Sequence, residues 1–248
     1  MRKSIAVVAW AALVGCSSDP GVLSDRSAVI LQRAPRTGGV GDVFQYTSYV
    51  PGARLIKLSP ATADGIVNEL CCAQFAGFET LDIQSYDLAF DAGSIVFSGK
   101  LNDAEHYGLF LLTLPAAGNP AVAPAQLLSD PNRDAVYPIF APGDRIIYMT
   151  NEVVEPGAPQ HRDEYERGTT TQLASISLDG TDVVLGPRNL SHRVSPAMLS
   201  DGRVLFTQWD HLQDTNEGNL MMVNPDFTNL REVFGKESSG VANSYLKA

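Results

Sequence analysis

Ser195 to Phe206, reading Ser-Pro-Ala-Met-Leu-Ser-Asp-Gly-Arg-Val-Leu-Phe, is an apolar strand, a tight turn and a second apolar strand. Ser200-Asp201-Gly202 supplies the turn chemistry, and Gly202 has no Cβ to oppose a positive φ. Two looser copies lie upstream. They are Tyr137-Pro138-Ile139-Phe140-Ala141-Pro142-Gly143-Asp144-Arg145-Ile146-Ile147-Tyr148 and Leu88-Ala89-Phe90-Asp91-Ala92-Gly93-Ser94-Ile95-Val96-Phe97. Phe97, Tyr148 and Phe206 take equivalent places, 51 and 58 residues apart. Repetition near that spacing is what a β-propeller produces, because each repeat is one small sheet that must stack on its neighbours to bury its faces.

Dividing the chain at the strand after each turn gives four blade-like units at about 28–93, 94–144, 145–202 and 203–248. The apolar runs predict strands at Ala28–Gln32, Leu55–Leu58 and Ile66–Leu70 in the first unit, and at Ser94–Ser98, Gly108–Leu114 and Gln126–Leu128 in the second. The third holds Arg145–Thr150, Leu173–Leu178 and Asn189–Leu190, and the fourth Arg203–Thr207, Leu220–Val223 and Leu230–Phe234. In each, the strand leading into the next turn completes the unit. Leu178-Asp179-Gly180 and Asn224-Pro225-Asp226-Phe227 punctuate equivalent places between second and third strands. The expected class is therefore all-β. Four blades are at the lower limit for closure, and an open ring leaves strand edges unpaired. The reading is thus an incomplete propeller or a truncated longer chain, with a four-bladed ring or closure by a partner as alternatives.

Two long loops, Thr37–Pro51 and Asn151–Thr171, join first and second strands of their units, where a rigid scaffold can carry a binding surface. The second contains His161-Arg162-Asp163-Glu164-Tyr165-Glu166-Arg167, whose charge also suits a solvated loop tip.

Residues 1–15 read as an export signal, with Arg2 and Lys3 ahead of an apolar run from Ile5 to Leu13 that is too short for a lasting membrane span. The run ends Leu13-Val14-Gly15-Cys16, which resembles the lipobox of bacterial lipoproteins. That resemblance implies acylation of Cys16, which becomes the mature N-terminus, followed by a polar tether over residues 16–27. Ser17 after the cysteine resembles the outer-membrane sorting pattern. Acyl chains bury about 0.8 kcal/mol per methylene, so two or three hold a domain to a bilayer. The expected location is the cell envelope, facing the periplasm.

Loss of Arg2 and Lys3 takes the net charge from -10 to -12 over a mature chain that begins at Cys16. Such a surface opposes nucleic acid and anionic headgroups as electrostatic partners. With Cys16 acylated, only Cys71 and Cys72 remain. As neighbours they either stay buried thiols or close a vicinal disulfide.

The turns resemble the WD40-like repeat PD40, known from the TolB propeller, whose pattern is Phe-Ser-Pro-Asp-Gly before an apolar strand. Phe140-Ala141-Pro142-Gly143-Asp144 and Leu199-Ser200-Asp201-Gly202 each keep part of it, and Phe90-Asp91-Ala92-Gly93 keeps less. A broader likeness rests on Phe44–Tyr49, Leu58–Gly65, Leu205–His211 and Phe234–Glu237, which look like stretches of the propeller shared with the hydrazine synthase alpha subunit. That resemblance implies the fold. It does not extend to haem chemistry, since attachment needs Cys-x-x-Cys-His and Cys71-Cys72-Ala73-Gln74 lacks both spacing and histidine.

No Gly-x-Ser-x-Gly elbow, phosphate loop or Gly-x-Gly-x-x-Gly turn is present. His106, His161, His192 and His211 are scattered, and a metal site of His192 and His211 with Asp210 or Asp214 is the one grouping that a hairpin could assemble. The reading prefers ordinary surface or capping histidines, and takes Trp209 as a core or rim aromatic over a stacking platform. Cys16 is then the one site residue, with no catalytic, cofactor or metal residue named. The function expected is a lipid-anchored propeller that binds a protein or another envelope macromolecule. The alternative is a non-catalytic subunit, or N-terminal part, of a redox or metal enzyme related to hydrazine synthase.

Overall fold

The computed structural model describes residues 24–35, 49–116, 119–151, 170–188, 192–212 and 215–234, without the side chains of 211, 212 and 215–217. Cys16, the export signal, residues 37–48 and 152–169, and the predicted strand at Asn189–Leu190 lie outside the described residues. What is described consists of strands, turns and connections. The first sheet holds β1 (Ala28–Gln32), β2 (Arg54–Ser59) and β3 (Ile66–Cys71). The second holds β4 (Asp82–Leu88), β5 (Ser94–Lys100), β6 (Gly108–Thr113) and β7 (Ala125–Leu128). The third holds β8 (Ala135–Ala141), β9 (Arg145–Thr150), β10 (Gln172–Ser177) and β11 (Val184–Leu185). The fourth holds β12 (His192–Met198), β13 (Val204–Leu212), β14 (Thr215–Val223) and β15 (Arg231–Phe234). Neighbours within each sheet are consecutive in sequence and antiparallel.

The repeated hairpins form as the turn chemistry requires, with Gly202 at φ 83° and Gly143 at φ 79°. In the copy that is one residue short, Ala92 rather than Gly93 takes the left-handed position, at φ 55°. Both strands of each hairpin share a sheet, as the pairs β4–β5, β8–β9 and β12–β13. The sheets therefore begin one strand earlier than the division at 94, 145 and 203. A tight antiparallel turn pairs its own two strands, and the unit has to include both.

Stacking of the sheets explains the continuous apolar runs. Ile95 and Phe97 pack toward the first sheet with Leu55, Leu81, Ile83, Phe110 and Leu112, while Val96 between them packs toward the third with Phe140, Ile146, Tyr148 and Ala174. Ile147 and Met149 face the fourth sheet with Val194, Val204, Phe206 and Val223. A strand buried on both faces has no polar side to show. Phe97, Tyr148 and Phe206 each fill one inter-sheet layer, which is why an aromatic recurs there. Among the described residues no buried cluster joins the first sheet to the fourth, and the four sheets form an incomplete β-propeller.

Cys71 and Cys72 are both fully buried in the first of these layers and are joined as a vicinal disulfide. Of the two states the sequence left open, the structure shows the bonded one.

Pro138 and Pro196 lie in the first strands of their sheets, where proline cannot donate to a ladder. Each follows a residue in the left-handed region, Tyr137 at φ 51° and Ser195 at φ 53°, and the register slips at that point. The amides turned out by the bulge bond to the preceding blade. Tyr137 N–H donates to Ser85 Oγ at 2.9 Å, and Phe140 N–H to Asp87 Oδ2 at 2.8 Å.

Burial raises the Asp87 carboxyl above the usual carboxylate range, and the amides of Phe140 and Leu88 act against it. A carboxyl raised in the folded state favours folding below its unfolded value of 3.8 and loses that contribution as pH climbs through the folded value. Asp87→Asn keeps an acceptor for Phe140 and has no charge to desolvate. It is expected to match or exceed the parent's stability at neutral pH and to flatten the fall in stability that the parent shows as pH rises above 3.8, read by urea titration. Asp87→Ala strands the amide and is expected to cost ~1–3 kcal/mol at any pH.

Candidate functional site

β4, β8 and β12 lie side by side and run parallel, since Ser85 and Asp87 bond in order to Tyr137 and Phe140, and Arg193 N–H donates to Thr171 O beside β10. Their first residues share one end of the blades. The last residues of β5 and β9 share it too, through the pairs Asp82↔Lys100 and Ala135↔Thr150, as does Trp209 through His192↔Trp209. Both loops predicted to carry a surface leave from this end. Val50 N–H donates to Asp82 Oδ2 at 2.9 Å, Tyr49 OH donates to Thr80 O and Leu101 O, and Asn151 Oδ1 accepts from Asp134 N–H. The tight turns at 90–93, 142–144 and 200–202 occupy the opposite end.

A first polar cluster sits where β4 begins. Tyr107 OH donates to Asp82 Oδ2 at 2.6 Å, and the Lys100 ammonium lies 5.0 Å from the Tyr107 ring centre and 5.7 Å from that of Tyr49. Asp134 accepts from Tyr107 N–H at 2.8 Å and meets His106 Nδ1 at 3.1 Å. Asp82 and Lys100 are almost wholly buried. Burying charge is costly unless partners surround it, and this site supplies a carboxylate, two aromatic faces and backbone donors.

The second cluster sits where β12 begins. His192 Nδ1 accepts from Thr171 N–H at 3.1 Å, which leaves the ring proton on Nε2, and its ring stacks on Trp209 at 5.3 Å. Arg193 bonds Pro187 O and Gln208 Oε1 and lies over the Phe206 ring. Gln208 and Asn219 donate to Asp210. Burial draws the Arg193 guanidinium down to about 10, with Asp210's charge opposing the shift, so it stays charged at neutral pH.

Trp209 is 8% exposed, a rim aromatic as expected. His192 faces Thr171 and Trp209, while the His211 side chain, Asp214 and His161 are outside the described residues, so the suggested metal grouping is not assembled by what is described. Among the described residues no three His, Cys, Asp or Glu side chains gather to hold a metal. Neither polar cluster was anticipated from the sequence. The available signal was a charged residue opening or closing an apolar strand, as at Asp82, Lys100, Asp134 and Arg193. Each of these charges is held by neighbours, which fixes the loops leaving this end rather than presenting a reactive atom.

No protein-family model and no curated protein matches the chain. Solved structures do. The putative TolB from Agrobacterium tumefaciens superposes with a TM-score of 0.55 at 12% identity, over 84% of this chain and 61% of that one. Kuenenia stuttgartiensis hydrazine synthase gives 0.63 at 14% identity, over 86% of this chain and 32% of that one. The fold is that of a TolB-type β-propeller. A puromycin hydrolase gives 0.51 at 16% identity over 90% of this chain and 35% of its own. The chain thus spans less than two thirds of each of these structures, and at such identities the likeness to TolB-type propellers is one of fold.

Proposed function

We propose that this chain is an exported, lipid-anchored propeller whose loop end binds a protein or other macromolecule of the cell envelope. The observation that carries this reading is the gathering of the blade-to-loop connections at one end, each rooted in a buried polar cluster that holds its base rigid. The Leu13-Val14-Gly15-Cys16 sequence supports the anchor, and the TolB-type fold supports an envelope setting.

Two measurements test it. Mass spectrometry of the exported protein is expected to find a diacylated Cys16 at the N-terminus, and an unmodified Met1 there refutes the anchor. A photo-crosslinking residue at exposed Asp103, on the loop end, is expected to form adducts in cells, while one at exposed Asp226, on the turn end, forms none. Equal adducts at both positions, or none at Asp103, refute the face.

The alternative, a non-catalytic propeller subunit or N-terminal part of a redox or metal enzyme, takes its support from the hydrazine synthase likeness. Visible absorption bands or stoichiometric iron or zinc in purified protein would favour it.

A further inference from the structure

Cys71 ends β3, and Cys72 opens the connection into β4. Successive side chains of an extended strand point to opposite faces, yet both cysteines lie in the layer between the first and second sheets, with Leu55, Leu81, Phe97 and Phe110. The disulfide between them holds both sulfurs on that one side. β3 is irregular just before it, since Leu55 pairs with Cys71 and Ile56 with Glu69, which leaves Leu70 over.

Such a bond is a poor staple. The entropy that a crosslink removes from the unfolded chain grows with the loop it closes, and neighbours in sequence close the smallest loop of all. Its effect is therefore local and falls on the stretch that leaves Cys72. That stretch, residues 73–80, is exposed apart from the half-buried Phe75 and Phe78. A run of short turns ties it to the pair. Phe75 N–H donates to Cys72 O at 2.9 Å, Phe78 N–H to Phe75 O at 3.1 Å and Leu81 N–H to Phe78 O at 3.2 Å. Leu81 O then accepts from Gly52 N–H and Ala53 N–H, beside Asp82 at the loop end.

Both cysteines are fully buried, and a close-packed layer has no spare room. Two thiols do not fit the space of a bonded pair, because their sulfurs have to separate to van der Waals contact. The other side chains of the layer are fixed mostly by paired strands, whereas the connection is exposed and built from turns, so the displacement falls on the connection.

We propose that the Cys71–Cys72 disulfide is a redox switch: a dithiol reductant opens it, and the connection at 73–80 is released from the first inter-sheet layer while the sheets stay folded. A thiolate of the reductant attacks Sγ of Cys72, which carries the exposed turn; the bond between the two cysteines breaks, and Cys71 leaves as a thiolate that takes up a proton. The second thiol of the reductant then attacks the reductant's own sulfur in the mixed disulfide and expels Cys72, which is protonated in turn. Two electrons and two protons pass to the protein, and the reductant ends as a disulfide. The switch needs no partner at the loop end and stands apart from the binding function proposed above.

The test uses the full chain carrying Cys16→Ser, in which Cys71 and Cys72 are the remaining cysteines, with dithiothreitol as the reductant. The native protein is expected to take no iodoacetamide label before reduction and a label on each cysteine after it, by intact mass. Amide exchange at Phe75, Phe78 and Leu81 is expected to quicken by roughly tenfold or more on reduction, while Val96 and Ile147 keep their rates, and oxidation with diamide is expected to restore the slow exchange. Label before reduction, none after it, or unchanged exchange at the three amides overturns the switch. Faster exchange at Val96 and Ile147 as well also overturns it, because the bond would then hold the whole fold together. The chain with both Cys71→Ala and Cys72→Ala is the control, expected to exchange at the reduced rate with or without dithiothreitol. A dithiothreitol effect that survives in it would place the change elsewhere and overturn the proposal.

Discussion

Phe97→Ala is expected to cost about 3–5 kcal/mol, the cost of emptying a large aromatic site in a close-packed layer. Phe97 is fully buried and stacks on Phe110 with ring centres 5.3 Å apart and planes 11° apart. Its layer also includes Leu55 from the first sheet and Leu81 from the connection into the second. The void therefore opens between blades as well as inside one. In an array of stacked units, stability is the sum of unit terms and interface terms, so weakening one interface uncouples the units beside it. Urea unfolding of Phe97→Ala should accordingly show a lower midpoint and a broader transition than the parent. Phe90→Ala is the control in the same hairpin. Phe90 is 82% exposed, and its loss is expected to change stability by less than about 0.5 kcal/mol. Equal losses for the two variants would mean that the layer between the first two sheets contributes little.

The contrast between Phe97 and Phe90 also shows what the sequence could and could not reveal. Both are aromatic and both belong to a copy of the repeat, but Phe97 has an aromatic counterpart in each of the other copies, Tyr148 and Phe206, whereas Phe90 corresponds to Phe140 in one and Leu199 in the other. An aromatic kept in all three copies marks the residue that fills an inter-sheet layer. The strands themselves were legible for the same reason, since turn residues and apolar runs are local signals that recur. What repetition could not show was which hairpin strand belongs to which blade, because the pattern has the same period wherever the division is made. The polar clusters were hidden for another reason. Asp82 and Lys100 stand at strand ends, where a charged residue in a sequence reads as a solvated terminus, and only the stacking of sheets with loop residues Tyr49 and Tyr107 buries them. Cys71 and Cys72 were ambiguous because adjacency permits a bond without requiring one.

The loop end supplies the second large effect, through Asp82. Its Oδ2 accepts from Tyr107 OH and from Val50 N–H, and the register places it opposite Lys100, whose ammonium lies over two tyrosine rings. Asp82→Ala strands both donors, at ~1–3 kcal/mol each, and leaves a buried cation without the carboxylate across from it. Asp82→Asn keeps an acceptor but turns an amide donor toward a site that already holds two, so an intermediate loss is expected. Lys100→Met in the Asp82→Ala chain separates the hydrogen-bond part of the loss from the charge part. If the buried ammonium matters, the double variant will be more stable than the two single losses predict, and chemical denaturation of the four chains yields that coupling directly. The consequence reaches the proposed binding face, because Val50 fixes the point at which the chain leaves its loop and enters β2. Asp82→Ala is therefore expected to weaken crosslinking at Asp103 as well as stability, whereas Phe97→Ala, at conditions where it remains folded, keeps the loop end rooted and the adducts intact. A loop end that crosslinks equally well without Asp82 would owe its shape to something other than the buried carboxylate.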